Sequence, residues 1–188
     1  PARICANRSD LSPASDEVAY SDDDPAVSEY SQIYRRRLDG TPAVRVLAQS
    51  MNQFHPDWSP RGDRIVWATF PGTGQMDLWS AYPDAPFRPM RLTNRPGVST
   101  MPAFQPNGQG VAYIHEPASG STGWELRWIG LDGNGDRLIR HFPYPAPGVP
   151  PLLVAAPRWM PNGTHLIVCD YTTRRLLRVP ADGGPVVE

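Results

Sequence analysis

The sequence predicts an all-β protein, a β-propeller of about four recognisable four-stranded blades, and two repeated turns carry this prediction. The first turn reads Pro-x-aromatic-x-Pro-x-Gly, and a short apolar run follows each copy. Its copies are Pro56–Gly62, Pro102–Gly108 and Pro157–Gly163, spaced by 46 and 55 residues. A repeat of this length that consists of short strands and turns is typical of propeller blades.

The composition of the first turn predicts an antiparallel hairpin. Proline presets φ at the first central position, and the glycine takes the left-handed conformation that follows. Such a turn joins two strands, and the aromatic ring before it can pack between neighbouring blades. The residues to which this repeat assigns a structural role are Trp58, Gly62, Phe104, Gly108, Trp159 and Gly163.

A second landmark is an aspartate in a turn between two strand-like runs, and it occurs in four repeats. Its copies are Leu38-Asp39-Gly40, Pro83-Asp84-Ala85, Leu131-Asp132-Gly133 and Ala181-Asp182-Gly183. Asp-Gly between such runs is a strong hairpin signal, so a closing strand is expected after each copy. These closing strands are expected over 44–47, 89–92, 137–140 and 185–187.

The two landmarks divide the chain into blades over about 1–50, 51–96, 97–150 and 151–188, which form one domain. Two insertions interrupt the repeat, at 10–30 and 141–154. Arg3–Arg8 aligns with the second strand of a blade, so the first blade is expected to lack its innermost strand. The count is then about fifteen strands where four blades need sixteen.

This strand count leaves the closure of the propeller open. An open sheet edge invites aggregation, so either a strand is borrowed across the seam or the chain is one stretch of a longer propeller. Pro1 at the start, where a natural chain has Met, favours the longer propeller. In light scattering, a monomer supports four self-contained blades and a dimer supports eight shared ones.

The repeat resembles that of TolB and its relatives, whose blades carry a Pro-x-Trp-Ser-Pro-Asp-Gly turn and a later Leu-Thr. Pro56–Gly62 matches this turn except at Arg61, and Leu92-Thr93 matches the later element. Ala6–Ser9 and Gln32–Tyr34 also resemble that family, so the likeness extends over nearly the whole chain. It implies a rigid disc whose loops and central funnel dock a partner's peptide or domain. The same repeats also form gating propellers of prolyl oligopeptidase-like enzymes.

Composition and motifs exclude several classes of function. The net charge of −1 argues against nucleic acid as a partner, and no apolar stretch is long enough to span a membrane. The sequence contains no nucleophile elbow, no Walker loop and no His-Glu-x-x-His. The four histidines lack metal-ligand spacing. The sequence therefore predicts no catalysis, no cofactor and no metal.

The acidic insertion contains the run Asp22, Asp23 and Asp24. Several carboxylates suit calcium or a basic partner, but the spacing is not that of a calcium loop, and a solvated loop explains the same composition. Arg35 and Arg37 lie in a predicted strand nearby, and we expect one of them to pair with this acidic run. These five residues are candidate binding residues.

The second insertion contains prolines beside two aromatic residues, which makes a stiff and partly apolar arm. Its candidate binding residues are Phe142, Tyr144, Pro145 and Pro147. A binding arm and a simple packed connection explain this composition equally well.

Two further patterns favour structural interpretations. Cys5 and Cys169 are expected to be buried free thiols, because equivalent strands of adjacent blades are too far apart for a disulfide. Asp132–Asp136 has oxygen ligands at alternate positions, but Arg137 stands where a calcium loop needs glycine. The repeat already explains this segment as a hairpin.

These observations together favour a non-catalytic propeller that binds another protein in the periplasm or outside the cell. A different class of function is a structural or gating propeller of a larger enzyme complex, such as a peptidase or redox assembly, with the chemistry elsewhere. A homo-oligomer that completes the propeller is compatible with both interpretations.

Overall fold

The protein is an all-β, four-bladed β-propeller in a computed structural model that describes residues 9–13, 15–22, 29–84, 88–118, 122–144, 156–170 and 175–186. These residues form fifteen strands in four antiparallel sheets, and each sheet contains strands in sequence order. The described part of the chain contains no helix with the length and hydrophobicity of a membrane span.

The four sheets are the four blades. Blade 1 contains β1 (Ser9–Leu11), β2 (Glu17–Asp22), β3 (Gln32–Arg37) and β4 (Val44–Arg45). Blade 2 contains β5 (Asn52–Trp58), β6 (Ile65–Phe70), β7 (Asp77–Ala81) and β8 (Met90–Arg91). Blade 3 contains β9 (Gly97–Phe104), β10 (Gly110–Pro117), β11 (Gly123–Gly130) and β12 (Arg137–Pro143). Blade 4 contains β13 (Arg158–Trp159), β14 (His165–Asp170) and β15 (Arg175–Pro180). Inner strands of successive blades contact one another.

The structure corrects the assignment of the first strands. Most of β1 and all of β2 lie within 10–30, which the sequence pattern presented as an insertion, and they complete a four-stranded blade 1. Asp22 is thus the last residue of a strand, whereas Asp23 and Asp24 lie outside the described residues. The expected second strand at Arg3–Arg8 also lies outside them.

The sequence contains a fourth copy of the first turn, which explains this error. Asp10-Leu11-Ser12-Pro13 occupies the place that Asp57-Trp58-Ser59-Pro60 occupies in blade 2. The N–H of Ser12 donates to the carbonyl of Glu17 at 2.8 Å, as the N–H of Ser59 donates to that of Arg64 at 2.9 Å. This copy is hard to detect because Leu11 replaces the aromatic residue and Ser15 replaces the glycine.

Among the described residues, the blade with three strands is blade 4, whereas blade 1 has four. Described residues of blade 4 form three strands, and Pro185 and Val186 of the expected closing strand are not in strand conformation. Val187 lies outside the described residues. The predicted closing strands of the other blades are present as β4, β8 and β12.

The turn glycines confirm the predicted hairpins. Gly62, Gly108 and Gly163 have φ values of 69°, 72° and 68°, a region that other residues rarely adopt. Each N–H donates to the carbonyl three residues earlier, at 2.8–2.9 Å. A side chain at these positions would strain the turn that joins the first two strands of the blade.

Apolar side chains between the blades form the core, in three clusters. Trp58 packs with Ala19 and Ile33 between blades 1 and 2, and Phe104 packs with Val66 and Leu78 between blades 2 and 3. Trp159 packs against the cluster between blades 3 and 4. The three repeated aromatic residues thus lie at the interfaces between blades, and burial of one such side chain stabilises the fold by about 1.5–3 kcal/mol.

A carboxylate on the inner strand of one blade binds the inner strand of the next. Oδ2 of Asp10 accepts a hydrogen bond from the N–H of Trp58 at 2.9 Å, and Oδ2 of Asp57 accepts one from the N–H of Phe104 at 2.7 Å. Ala103 occupies the equivalent position in blade 3. There the indole N–H of Trp159 donates to the carbonyl of Ala103 at 3.0 Å. The blades are therefore joined by polar contacts as well as by their apolar faces.

The inner strands of blades 2 and 3 contain bulges at equivalent positions. His55 and Met101 have φ values of 54° and 53°, and the strand pairing shifts register beside each residue. Nδ1 of His55 lies 3.0 Å from Oγ1 of Thr100, which joins the two bulged segments.

The Asp57 contact predicts a large loss of stability in one variant. In Asp57→Ala the buried N–H of Phe104 loses its acceptor, so we expect the free energy of unfolding to fall by about 2–3 kcal/mol. Urea denaturation followed by tryptophan fluorescence measures this change.

Asp84→Ala is the matched control for Asp57→Ala. The Asp84 side chain is 82% exposed and pairs with Arg35 at the surface, so its loss should change the free energy of unfolding by less than about 1 kcal/mol. Equal losses in the two variants would contradict the role of Asp57.

Candidate functional site

The aromatic residues of the Pro-rich segment pack onto blade 3. Phe142 is buried, and its ring stacks on Trp124 with centroids 3.9 Å apart and an interplanar angle of 8°. Tyr144 is half-buried, and its hydroxyl donates to Oε1 of Glu116 at 3.0 Å. Pro145 and Pro147 lie outside the described residues. A binding role for this segment remains a prediction.

Arg35 and Arg37 pair with Glu17 on the neighbouring strand. Nη1 of Arg35 lies 3.3 Å from Oε2 of Glu17, and Nε of Arg37 lies 3.2 Å from Oε1. Nη2 of Arg35 also lies 3.1 Å from Asp84, which links blade 1 to the last hairpin of blade 2. The expected partner Asp22 is instead opposite Gln32 in the strand register. Strand pairing, which places Glu17 opposite Arg37, decides this arrangement.

Both carboxylates of the Asp132–Asp136 hairpin accept hydrogen bonds from other residues of the protein. Both oxygens of Asp132 accept hydrogen bonds from Asn134 at 3.0 Å, and these bonds lower the pKa of Asp132. Asp136 accepts from Tyr113 at 2.8 Å and from Arg127 at 3.0 Å. Among the residues that the structure describes, no three potential metal-ligating side chains cluster together. Cys169 is a free thiol and is half-buried rather than fully buried.

Strand topology brings two kinds of turn to one end of the propeller. In an antiparallel sheet of consecutive strands, the first turn and the third turn lie at the same end. We call this end the turn face, and in blades 2 and 3 it comprises 59–64, 82–84, 105–109 and 131–136. The exposed side chains of this face include Tyr82 at 51% exposure and Leu38 of blade 1 at 63%.

A cavity of about 470 Å³ opens at the turn face between blades 2 and 3. We call it the inter-blade cleft, and its walls include Arg61, Arg64, Tyr82, Met90, Leu131 and Asp132. Its volume is in the range of small-ligand pockets, about 300–1,000 Å³. The cleft combines charged, aromatic and aliphatic side chains.

Arg64 and Tyr82 form a fixed platform in the inter-blade cleft. The Arg64 guanidinium carbon lies 4.5 Å from the centroid of the Tyr82 ring, and Nη2 donates to the Tyr82 hydroxyl at 2.7 Å. Nη1 donates to the carbonyl of Leu131 in blade 3 at 3.3 Å. The guanidinium is thus held between two blades, and several of its N–H donors remain.

Arg61 is the second arginine of the cleft. It is exposed, and its guanidinium makes no hydrogen bond or ion pair with any other residue in the described ranges. Arg61 replaces the aspartate that the resembling repeat carries at this turn position. That substitution is the sequence signal for the cleft, since it reverses the charge of an exposed turn; nothing in the sequence places Tyr82 beside it.

A second polar cluster lies in the interior of blade 3. Ser99, His115 and Glu125 face one another on three adjacent strands, and Oγ of Ser99 lies 3.0 Å from Nδ1 of His115. These residue types occur in acyl-transfer triads. Here Ser99 and His115 are 0% and 1% exposed, and Oε2 of Glu125 binds Arg127 at 2.8 Å. This row is therefore a buried structural network in which the serine is closed to solvent.

Solved structures show the same fold. A protein assigned as TolB from Agrobacterium tumefaciens matches with a TM-score of 0.80 at 20% identity, over 99% of this chain and 65% of that one. TolB from Acinetobacter baumannii matches with a TM-score of 0.71 at 15% identity, over 96% and 41%. A chain of the nidogen/laminin complex matches with a TM-score of 0.71 at 14% identity, over 95% and 62%.

An enzyme also has this fold. An oligogalacturonate lyase in complex with manganese matches with a TM-score of 0.62 at 15% identity, over 88% of this chain and 45% of that one. The present chain spans less than two thirds of each TolB structure. No protein-family model and no curated protein sequence matches the chain. At these identities the similarity shows the propeller fold alone.

The buried His115 predicts a loss of stability in acid. Burial lowers the pKa of His115 below its ordinary 6.5, and the nearby Arg95 and Arg127 cations lower it further against the opposing Glu125 and Asp136 carboxylates. At a pH between the two pKa values, His115 therefore binds a proton in the unfolded chain but not in the folded chain. The stability that depends on neutral His115 should be fully present above about pH 6.5. The free energy of unfolding should then fall as the pH drops from about 6.5 towards the folded-state pKa.

Urea midpoints measured between about pH 8 and pH 5 test this dependence. His115→Gln should flatten the decline below about pH 6.5, because the titrating group is gone. His141→Gln is the control, because His141 is exposed and its replacement should leave the decline unchanged. Identical profiles for the two variants would show that another group titrates.

Proposed function

We propose that this chain is a non-catalytic propeller module that binds another protein, and that the inter-blade cleft of the turn face is its binding site. The observation that carries the proposal is the Arg64–Tyr82 platform, which is fixed, partly exposed and open to solvent beside the free Arg61. Tyr and Arg are enriched among the residues that contribute most to protein–protein binding.

The rigidity of the blade frame supports this choice of surface. Tyr82 and Arg64 are held by contacts within blade 2 and to Leu131 of blade 3 before any partner arrives. A preformed surface loses little conformational entropy on binding. The exposed Leu38 on the same face adds apolar area beyond the cleft.

The similar structures favour the same class of function. One of them is a propeller chain in a complex of two proteins, nidogen and laminin, and two are TolB structures. We propose a periplasmic or extracellular location on the basis of the TolB likeness. The Pro-rich segment, with Phe142, Tyr144, Pro145 and Pro147, stays a second candidate contact, as do Asp22–Asp24 with Arg35 and Arg37.

An alternative is a structural or gating propeller of a larger enzyme assembly. The similarity to an oligogalacturonate lyase favours this alternative, because it shows the fold within an enzyme. The chemistry would then lie on another domain or subunit, and the buried Ser99 and His115 would serve the packing of blade 3.

Capture of partners from a cell-envelope extract tests the proposed site. We expect the tagged chain to retain one stoichiometric partner and the double variant Arg61→Ala, Tyr82→Ala to retain at least about tenfold less, as loss of two central contact residues predicts. Quantitative mass spectrometry of the eluates measures retention, and circular dichroism verifies that the variant is folded.

Two further variants distinguish the candidate surfaces. Arg178→Ala, an exposed arginine on blade 4, is the matched control and should retain the partner. Replacement of 145–154 by a Gly-Ser loop tests the Pro-rich segment. Loss of the partner only in this loop variant would assign the binding site to the Pro-rich segment instead of the cleft. Recovery of an enzyme subunit as the partner would favour the alternative function.

A further inference from the structure

We propose that the inter-blade cleft recognises an acidic peptide segment of the partner, in which an Asp or Glu stands next to an apolar residue. This inference rests on the proposed function and specifies the chemistry of the partner.

The carboxylates at the cleft are already engaged. Oδ1 of Asp63 accepts a hydrogen bond from Oγ of Ser59 at 2.6 Å, within the same turn. Both oxygens of Asp132 are bound to Asn134 in the blade 3 hairpin. These hydrogen bonds hold the two acidic side chains of the walls against the turns that carry them and leave their charge in place. The N–H donors that the cleft offers to a carboxylate are those of Arg61 and Arg64.

The two arginines present complementary donors. Arg64 is fixed by Tyr82 and Leu131, whereas Arg61, three residues earlier in the same turn, has no partner among the described residues. A guanidinium has five N–H donors and no acceptor, and it binds carboxylates through paired hydrogen bonds. A carboxylate placed between them satisfies Arg61 and uses the remaining donors of Arg64.

The rest of the cleft is apolar or aromatic. Met90 and Leu131 are half-buried wall residues, and the Tyr82 ring is 51% exposed. An isolated carboxylate would leave this surface in water, whereas an aliphatic or aromatic neighbour covers it. A volume of about 470 Å³ holds a few side chains rather than a folded domain. These features together select an extended acidic and apolar peptide.

Selection of a random peptide library displayed on phage, with the full chain as bait, tests the inference. We expect the enriched peptides to share an Asp or Glu beside an aliphatic or aromatic residue. Fluorescence polarisation then measures their affinity as terminally blocked peptides, and replacing the acid by its amide should weaken binding at least about tenfold.

Variants of the chain assign this affinity to the cleft. Arg61→Gln should weaken binding of the same peptide at least about tenfold, and Arg61→Lys should recover only part of it, because lysine keeps the charge but loses the planar fork. Arg178→Gln is the matched control and should bind as the wild type does. Added salt should weaken the wild-type complex more than the Arg61→Gln complex.

Several results would overturn the inference: no enriched peptide, enriched peptides without an acid, or equal affinities for wild type and Arg61→Gln. Glutarate that competes as strongly as the peptide would assign the cleft to small carboxylates instead. Phage selection could yield no acidic peptide while the Arg61→Ala, Tyr82→Ala variant still loses the envelope partner. In that case the proposed function stands, and only the acidic-peptide chemistry is wrong.

Discussion

The structure depends on two neighbouring residues of the inner strand of blade 2, which bind the blades on either side: Trp58 contacts blade 1 and Asp57 contacts blade 3. The N–H and ring of Trp58 face blade 1, where Asp10 accepts its hydrogen bond, while the carboxylate of the preceding Asp57 binds the N–H of Phe104 in blade 3. Alternation of side chains along a strand makes this arrangement possible. Blade 2 is thus bound to both of its neighbours by these hydrogen bonds, beside the apolar clusters that fill the same two interfaces.

The regular repeat of the blades also explains why there is a cleft between blades 2 and 3. The turns of blades 2 and 3 meet at one end because the blades repeat the same strand order, and the carbonyl of Leu131 reaches Arg64 across the gap. What differs between the turns is a few exposed side chains. Arg61 is one of them, and its effect on the cleft charge needs no change in the backbone.

Polar residues inside the blades have a different role from those in the cleft. Arg127 is buried and is bound by Glu125 and Asp136, while Tyr113 donates to the same Asp136. Burial and this carboxylate raise the pKa of Tyr113, so its hydroxyl stays a donor. A buried network with satisfied donors and acceptors specifies one packing of the blades. Polar side chains of the turn face such as Arg61, by contrast, lie at the surface.

The sequence by itself determined the propeller, its hairpins and the position of its repeated aromatic rings, because turn residues such as Gly62 and the strand period are local properties. It did not reveal the first turn of blade 1 or the two strands that this turn joins, since Leu11 and Ser15 replace the signature residues of that turn. The tertiary structure decided which groups meet. Glu17 pairs with Arg37 through strand register, and Tyr82 lies on Arg64 although they are far apart in sequence. Contacts between side chains of different strands and blades also depend on how the strands pack in three dimensions, which the spacing of turn residues alone does not give.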